Sequence, residues 1–213
     1  MPKREDDLIV AVAAVLLFVP LFVFRAAGPL DFWWWMSLNI VLAVGLGAVL
    51  DTKYLPSLRA DLRSGAGKKI LLGLLAAAAL YAVFFAGNYF SRLILPFAGK
   101  GIGAVYAFKS TAALGRIIPL MALLIGPGEE VFWRGFLQRR WQERFGAGRG
   151  FLFATALYAA VHAGGGNAML VLAAAVCGLF WGFIYLRTGS VLLAAVSHTV
   201  WDLAVFVVFP FGP

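Results

Sequence analysis

Long apolar runs separated by short polar clusters set the plan of this chain. Residues 8–24, 32–50, 70–90, 117–138, 168–186 and 191–209 are each close to membrane-crossing length, and 151–162 is a shorter run. The stretch from Ser91 to Arg116 is ambiguous. Pro96, Gly99, Gly101 and Gly103 break it, and Arg92, Lys100, Lys109 and Arg116 punctuate it, which suits an interfacial helix or part of a further span. Gly126, Pro127 and Gly128 interrupt the 117–138 run. That run reads either as one broken helix lining a cavity or as one helix ending near Ile125 and a second beginning beyond it. Residues 164–167 form a turn, 187–189 a tight connection, and Pro210 and Pro213 stop the last run. The pattern predicts an all-α, polytopic transmembrane helical bundle of seven or eight membrane helices. Residues 1–213 form one integral membrane domain, with N-terminal helices over 1–100 and a core over 117–209.

The polar clusters orient this bundle. Lys53, Arg59, Arg63, Lys68 and Lys69 fill the second connection, and Arg139, Arg140, Arg144 and Arg149 follow the 117–138 run. Lys and Arg are retained on the cytoplasmic side, so the first cluster is expected there with the N-terminus. The second is expected there too if 117–138 is a single outside-to-inside span, whereas an extra span within 91–125 would turn the later runs round. Trp33, Trp34 and Trp35 begin the second run as an interfacial aromatic belt would. The segment from Met1 to Asp7 mixes Lys3 and Arg4 with Glu5, Asp6 and Asp7. Acidic residues before so long an apolar run favour a retained helix over a cleaved signal peptide.

Composition agrees. Hydrophobic residues make up 62% of the 213 positions and charged residues 13%, with a mean hydropathy of +0.90. Soluble domains carry about 25% charged residues, so this is an integral membrane protein. The net charge of +8 lies between apolar spans, which reflects topology and excludes nucleic acid as a partner. The single cysteine, Cys177, makes no internal disulfide.

Ionisable groups inside the runs carry the chemistry, since each is costly at membrane depth. Glu5, Asp6, Asp7, Asp31, Asp51, Asp61 and Glu143 fall in termini or loops, which leaves Glu129, Glu130 and Asp202 among the spans. Glu130 and Arg134 are four apart and can pair on one helix face. Glu129 is turned about 100° away and stays free for chemistry. The only histidines, His162 and His198, lie in or at the end of apolar runs, and His198 and Asp202 are also four apart. Unpaired, each such group would cost about 2.5–3.5 kcal/mol on insertion scales, so their convergence on one hydrated cavity is expected. A carboxylate beside a histidine can hold and deprotonate water, and a second histidine with an adjacent Asp can stabilise an oxyanion. No serine or cysteine nucleophile is paired. The same donors leave room for a divalent metal such as zinc, although no compact zinc motif is present.

These residues form three motifs: Glu129-Glu130-Val131-Phe132-Trp133-Arg134, Tyr158-Ala159-Ala160-Val161-His162 and His198-Thr199-Val200-Trp201-Asp202. In this order they resemble the CPBP (Abi) intramembrane proteases, which include the type II CAAX prenyl endopeptidases and proteins of bacteriocin processing and immunity. Tyr158 stands where that family has Phe. The resemblance implies an endopeptidase acting on a membrane-associated protein or peptide, at a C-terminal tail or anchor. An extra span within 91–125 would turn the site round toward a cytosolic CAAX-like tail. Glu129 and His162 would activate water, Glu130 and Arg134 would brace the site, and His198 and Asp202 would stabilise the oxyanion. Members are described both as metalloproteases and as metal-independent glutamate proteases. The expected location is a bacterial-type inner (plasma) membrane, crossed several times, with lipid and substrate as partners. Three other classes stay open: a proton-coupled transporter, although no paired halves are visible; a bis-histidine haem protein; and a non-catalytic immunity protein.

Overall fold

A segment surrounded by lipid must satisfy its backbone N–H and C=O groups internally, so each apolar run becomes a helix. The computed structural model describes residues 4–212; Lys3 and Pro213 lie outside them. Helix α1 (Arg4–Phe24) leads through a minimal hairpin of β1 (Ala26–Ala27) and β2 (Leu30–Asp31) into α2 (Phe32–Leu50). Then come α3 (Tyr54–Arg63), α4 (Ala66–Ile94) and α5 (Ala98–Tyr106), the last followed by a 3-10 turn, Ala107–Thr111. The motif helix α6 (Leu114–Phe145) precedes α7 (Ala147–Val161), α8 (Ala168–Thr188) and α9 (Val191–Leu203), which runs on as a π-helical turn over Ala204–Val208.

Local chemistry sets the starts of several helices. The Asp31 carboxylate accepts from the Trp33 and Trp34 N–H groups at 3.0 and 3.1 Å, so α2 begins where the second run does. Asn167 caps α8 through the Met169 and Leu170 N–H groups, and Ser190 caps α9 through that of Leu193. The Gly126-Pro127-Gly128 stretch does not interrupt α6. The chain stays helical through it, and π-helical segments at Met121–Ile125 and Val131–Gln138 flank the motif. The wider turns accommodate the proline without ending the helix.

Among the described residues, five helices are long and apolar enough to cross a membrane, or six when the pair formed by the Ala98–Thr111 segment and α6 is counted. The sequence suggested seven or eight. Two features account for the difference. Helix α7 is too short by this measure, and α6 qualifies only with the Ala98–Thr111 segment, from which it is bent by 102°. The ambiguous stretch from Ser91 to Arg116 is thus the end of α4, a short helix, a 3-10 turn and the start of α6.

One end of the bundle gathers the basic residues and ties them to acids. Arg139 pairs with Asp51, Arg140 and Arg144 pair with Asp7, and Lys69 pairs with Asp61 at 2.7 Å. Asp7 therefore does not lie in a polar terminus. It is buried on α1 against two arginines that end α6. The opposite end carries the Arg116–Asp31 pair. The tryptophan cluster also divides: Trp34 is exposed, but Trp33 is buried and its indole N–H donates to the Phe108 carbonyl at 3.1 Å.

Asp61 links three elements at the basic end, accepting from Lys69 and from the Leu192 N–H at 2.8 Å. Burial pushes its carboxyl up, but the bonds from Lys69, Leu192 and Ser190 outweigh this and hold it below the ordinary carboxylate value. A carboxyl lowered in the folded state stabilises the fold above its unfolded pKa, about 4, and loses that contribution as pH falls through the lower folded value. Acid should therefore lower the thermal unfolding temperature of the wild type more steeply below about pH 4 than that of Asp61→Asn. Parallel acid slopes for the two proteins in detergent would show that Asp61 contributes no such linkage.

Candidate active site

Glu129 lies midway along α6, about 23 Å from either end at about 1.5 Å per residue. Helices α7, α8 and α9 close around it. Glu130 is 0% exposed, and its Oε1 accepts from Arg134 Nη1 at 2.8 Å and from His198 Nδ1 at 2.8 Å. Arg134 lies over the Tyr158 ring, 4.8 Å from its centre. The pair expected from the four-residue spacing is thus present, and it reaches a third group on α9.

The adjacent residue points elsewhere. Glu129 lines a cavity of about 150 Å³ together with Tyr158, His162, His198 and Asp202. Glu129 Oε2 accepts from the Tyr158 hydroxyl at 3.1 Å and lies 3.6 Å from His198 Nε2. Asp202 Oδ2 lies 3.4 Å from the same nitrogen. The 100° offset between successive helix positions therefore separates a paired carboxylate from one facing open space, as the sequence implied.

The two histidines are held in defined orientations. His162 Nδ1 lies 2.7 Å from the Tyr158 carbonyl, which can only accept, so Nδ1 carries a proton and, in the neutral form of the ring, Nε2 is left as the acceptor. His198 donates from Nδ1 to Glu130, which turns Nε2 toward Glu129 and Asp202. Its ring stacks on Trp181 with centres 3.7 Å apart and an angle of 18°.

The structure brings all six sequence-derived residues together. Glu129, His162, His198 and Asp202 line the cavity, and Glu130 and Arg134 sit behind its wall. Two contributors were not identified from sequence. The Tyr158 hydroxyl stood out only as a departure from Phe, with its partner unknown. Trp181, which holds His198 flat, has no distinguishing sequence signal. The Ser197 hydroxyl receives the Trp181 indole N–H at 3.2 Å. Among the described residues, no group of three or more His, Cys, Asp and Glu is arranged to hold a metal ion. Glu130 is instead engaged with Arg134 and His198 Nδ1, and Glu129 with the Tyr158 hydroxyl.

A helical bundle with several membrane-length apolar helices, and with carboxylates and imidazoles turned into an internal cavity, defines an integral membrane protein. Residues 111–204 match the family described as type II CAAX prenyl endopeptidase, Rce1-like. The match spans all six residues and is the family that the three motifs resemble, and it supports an intramembrane endopeptidase in general terms. No curated protein and no solved structure matches the chain.

Proposed function

We propose that the protein hydrolyses a peptide bond in a membrane-associated substrate by water attack, with the C-terminal tail or anchor of that substrate reaching the cavity. The observation that carries this is the division of labour at Glu129-Glu130: one carboxylate is locked by Arg134 and His198, and its neighbour faces a cavity that His162 also lines. Water held between Glu129 and His162 Nε2 gives a proton to Glu129 as its oxygen attacks the carbonyl carbon. The carbonyl oxygen becomes an oxyanion, which a proton on His198 Nε2, oriented by Asp202, stabilises. The proton taken by Glu129 then passes to the departing nitrogen and the C–N bond breaks, leaving a carboxyl and an amine terminus.

The surroundings suit an apolar substrate. A second, almost entirely apolar pocket of about 180 Å³ adjoins the cavity and shares Val105, Ala173, Trp201 and Phe206 with it. With the basic end in the cytoplasm, His162 lies toward the outer face, against Phe22 near the end of α1. That arrangement favours substrates presented from outside over a cytosolic CAAX-like tail.

The test compares membrane proteomes of cells carrying the wild type and the double variant Glu129→Gln, His162→Asn, reading C-terminal peptides by mass spectrometry. Particular proteins should lose a C-terminal segment only with the wild type, and the cut position reports the membrane face. Matching proteomes, with equal amounts of both proteins inserted, would overturn the proposal.

A further inference from the structure

We infer that Tyr158 is a positioning residue that holds both halves of the water-activating pair at once, its hydroxyl fixing Glu129 and its main-chain carbonyl fixing His162. The inference rests on the hydrolytic reading above and assigns a role to the position where this chain departs from the motif it resembles.

The geometry is specific. The Tyr158 hydroxyl donates to Glu129 Oε2 at 3.1 Å, which leaves the second carboxylate oxygen for water. The carbonyl of the same residue receives the His162 imidazole at 2.7 Å. That carbonyl is available because α7 tightens at its end. The His162 N–H turns to the Ala159 carbonyl, three residues back, and the chain enters a 3-10 turn over His162–Gly165. The ring itself is gripped on two sides, edge-on to Trp133 with centres 5.2 Å apart and beneath the Arg134 guanidinium. Arg134 also anchors Glu130, so the carboxylate that supports His198 and the ring that supports Glu129 share one cation. A phenylalanine here would keep the ring contacts and the carbonyl. Glu129 would then be free to swing toward His198 and Asp202, away from the water position.

The experiment uses three variants of the full chain in native membranes: Tyr158→Phe, Tyr158→Leu and Glu129→Gln. One readout is the pulse–chase rate at which substrate C-termini are cut. The other is the carboxyl stretch of Glu129, isolated by infrared difference against Glu129→Gln, which needs no substrate. The expected result is that Tyr158→Phe inserts normally, cuts about 10- to 100-fold more slowly and shifts the Glu129 band. A role in ring packing alone gives the opposite order, with Tyr158→Phe at the wild-type rate and Tyr158→Leu impaired. That order, or an unshifted band in Tyr158→Phe, overturns the inference while leaving the hydrolytic reading intact. Undiminished cutting by Glu129→Gln overturns the hydrolytic reading, and the positioning role falls with it.

Discussion

Glu129→Gln should leave the protein folded and lower the cleavage rate by about 10²–10⁴-fold, the range expected when a general base is removed. Glu130→Gln should damage both properties. The two residues are adjacent in sequence and differ only in what they face. Glutamine at 129 preserves size and still offers a carbonyl to the Tyr158 hydroxyl, so the fold keeps that contact. Glutamine at 130 removes the charge that both Arg134 and His198 bind at 2.8 Å, leaving a buried guanidinium without its counter-ion and releasing the imidazole that faces the cavity. Cleavage rates and thermal unfolding temperatures measured on both variants in the same detergent decide the matter. A Glu129→Gln protein that cuts at more than half the wild-type rate, or a Glu130→Gln protein with wild-type stability, would reverse the assignment.

Arg134→Met should destabilise the bundle by about 3–5 kcal/mol, as expected when one member of a buried ion pair is removed. The Glu130 carboxylate has no exposure to water, and its second oxygen already lacks a hydrogen-bond partner. Losing Arg134 leaves that charge to His198 alone. The same change also removes the cation from the Tyr158 ring and the hydrogen bond to the Gly178 carbonyl at 3.5 Å. For a chain of this length, the loss corresponds to a fall of roughly 6–20 °C in unfolding temperature. The double variant Glu130→Gln, Arg134→Met should be more stable than Arg134→Met, because removing both charges leaves none to neutralise. Equal unfolding temperatures for Arg134→Met and the wild type would show that the pair contributes nothing to the fold.

How legible was this in the sequence? The second run, residues 32–50, coincides with α2 because its apolar length was readable, and the Asp31 cap, visible only in the fold, fixes its start. The grouping of the candidate site was legible because intramembrane charge is rare, so six ionisable residues in apolar runs already pick it out, and four-residue spacings place Glu130 with Arg134 and His198 with Asp202. Charge at helix ends was not legible. Asp7, Asp51 and Asp61 look like solvated residues until the fold brings Arg140, Arg144, Arg139 and Lys69 to them from distant segments. The expected helix count exceeds the five or six membrane-length helices for a physical reason. Helix α7, 15 residues long, falls below membrane-crossing length although it is apolar, and Gly126-Pro127-Gly128 reads as a break until π-helical turns absorb it.

The ion pairs at the basic end also set an order of events during biosynthesis. Asp7 is made first, and Arg140 emerges from the ribosome 133 residues later. At about 5–20 residues per second, α1 waits roughly 7–27 s in the membrane before its counter-ions exist. The early helices therefore enter the bilayer as provisional tenants, and the arginines that end α6 close the bundle behind them. The cavity that Glu129 lines, whose walls include α7, α8 and α9, is assembled only after that closure.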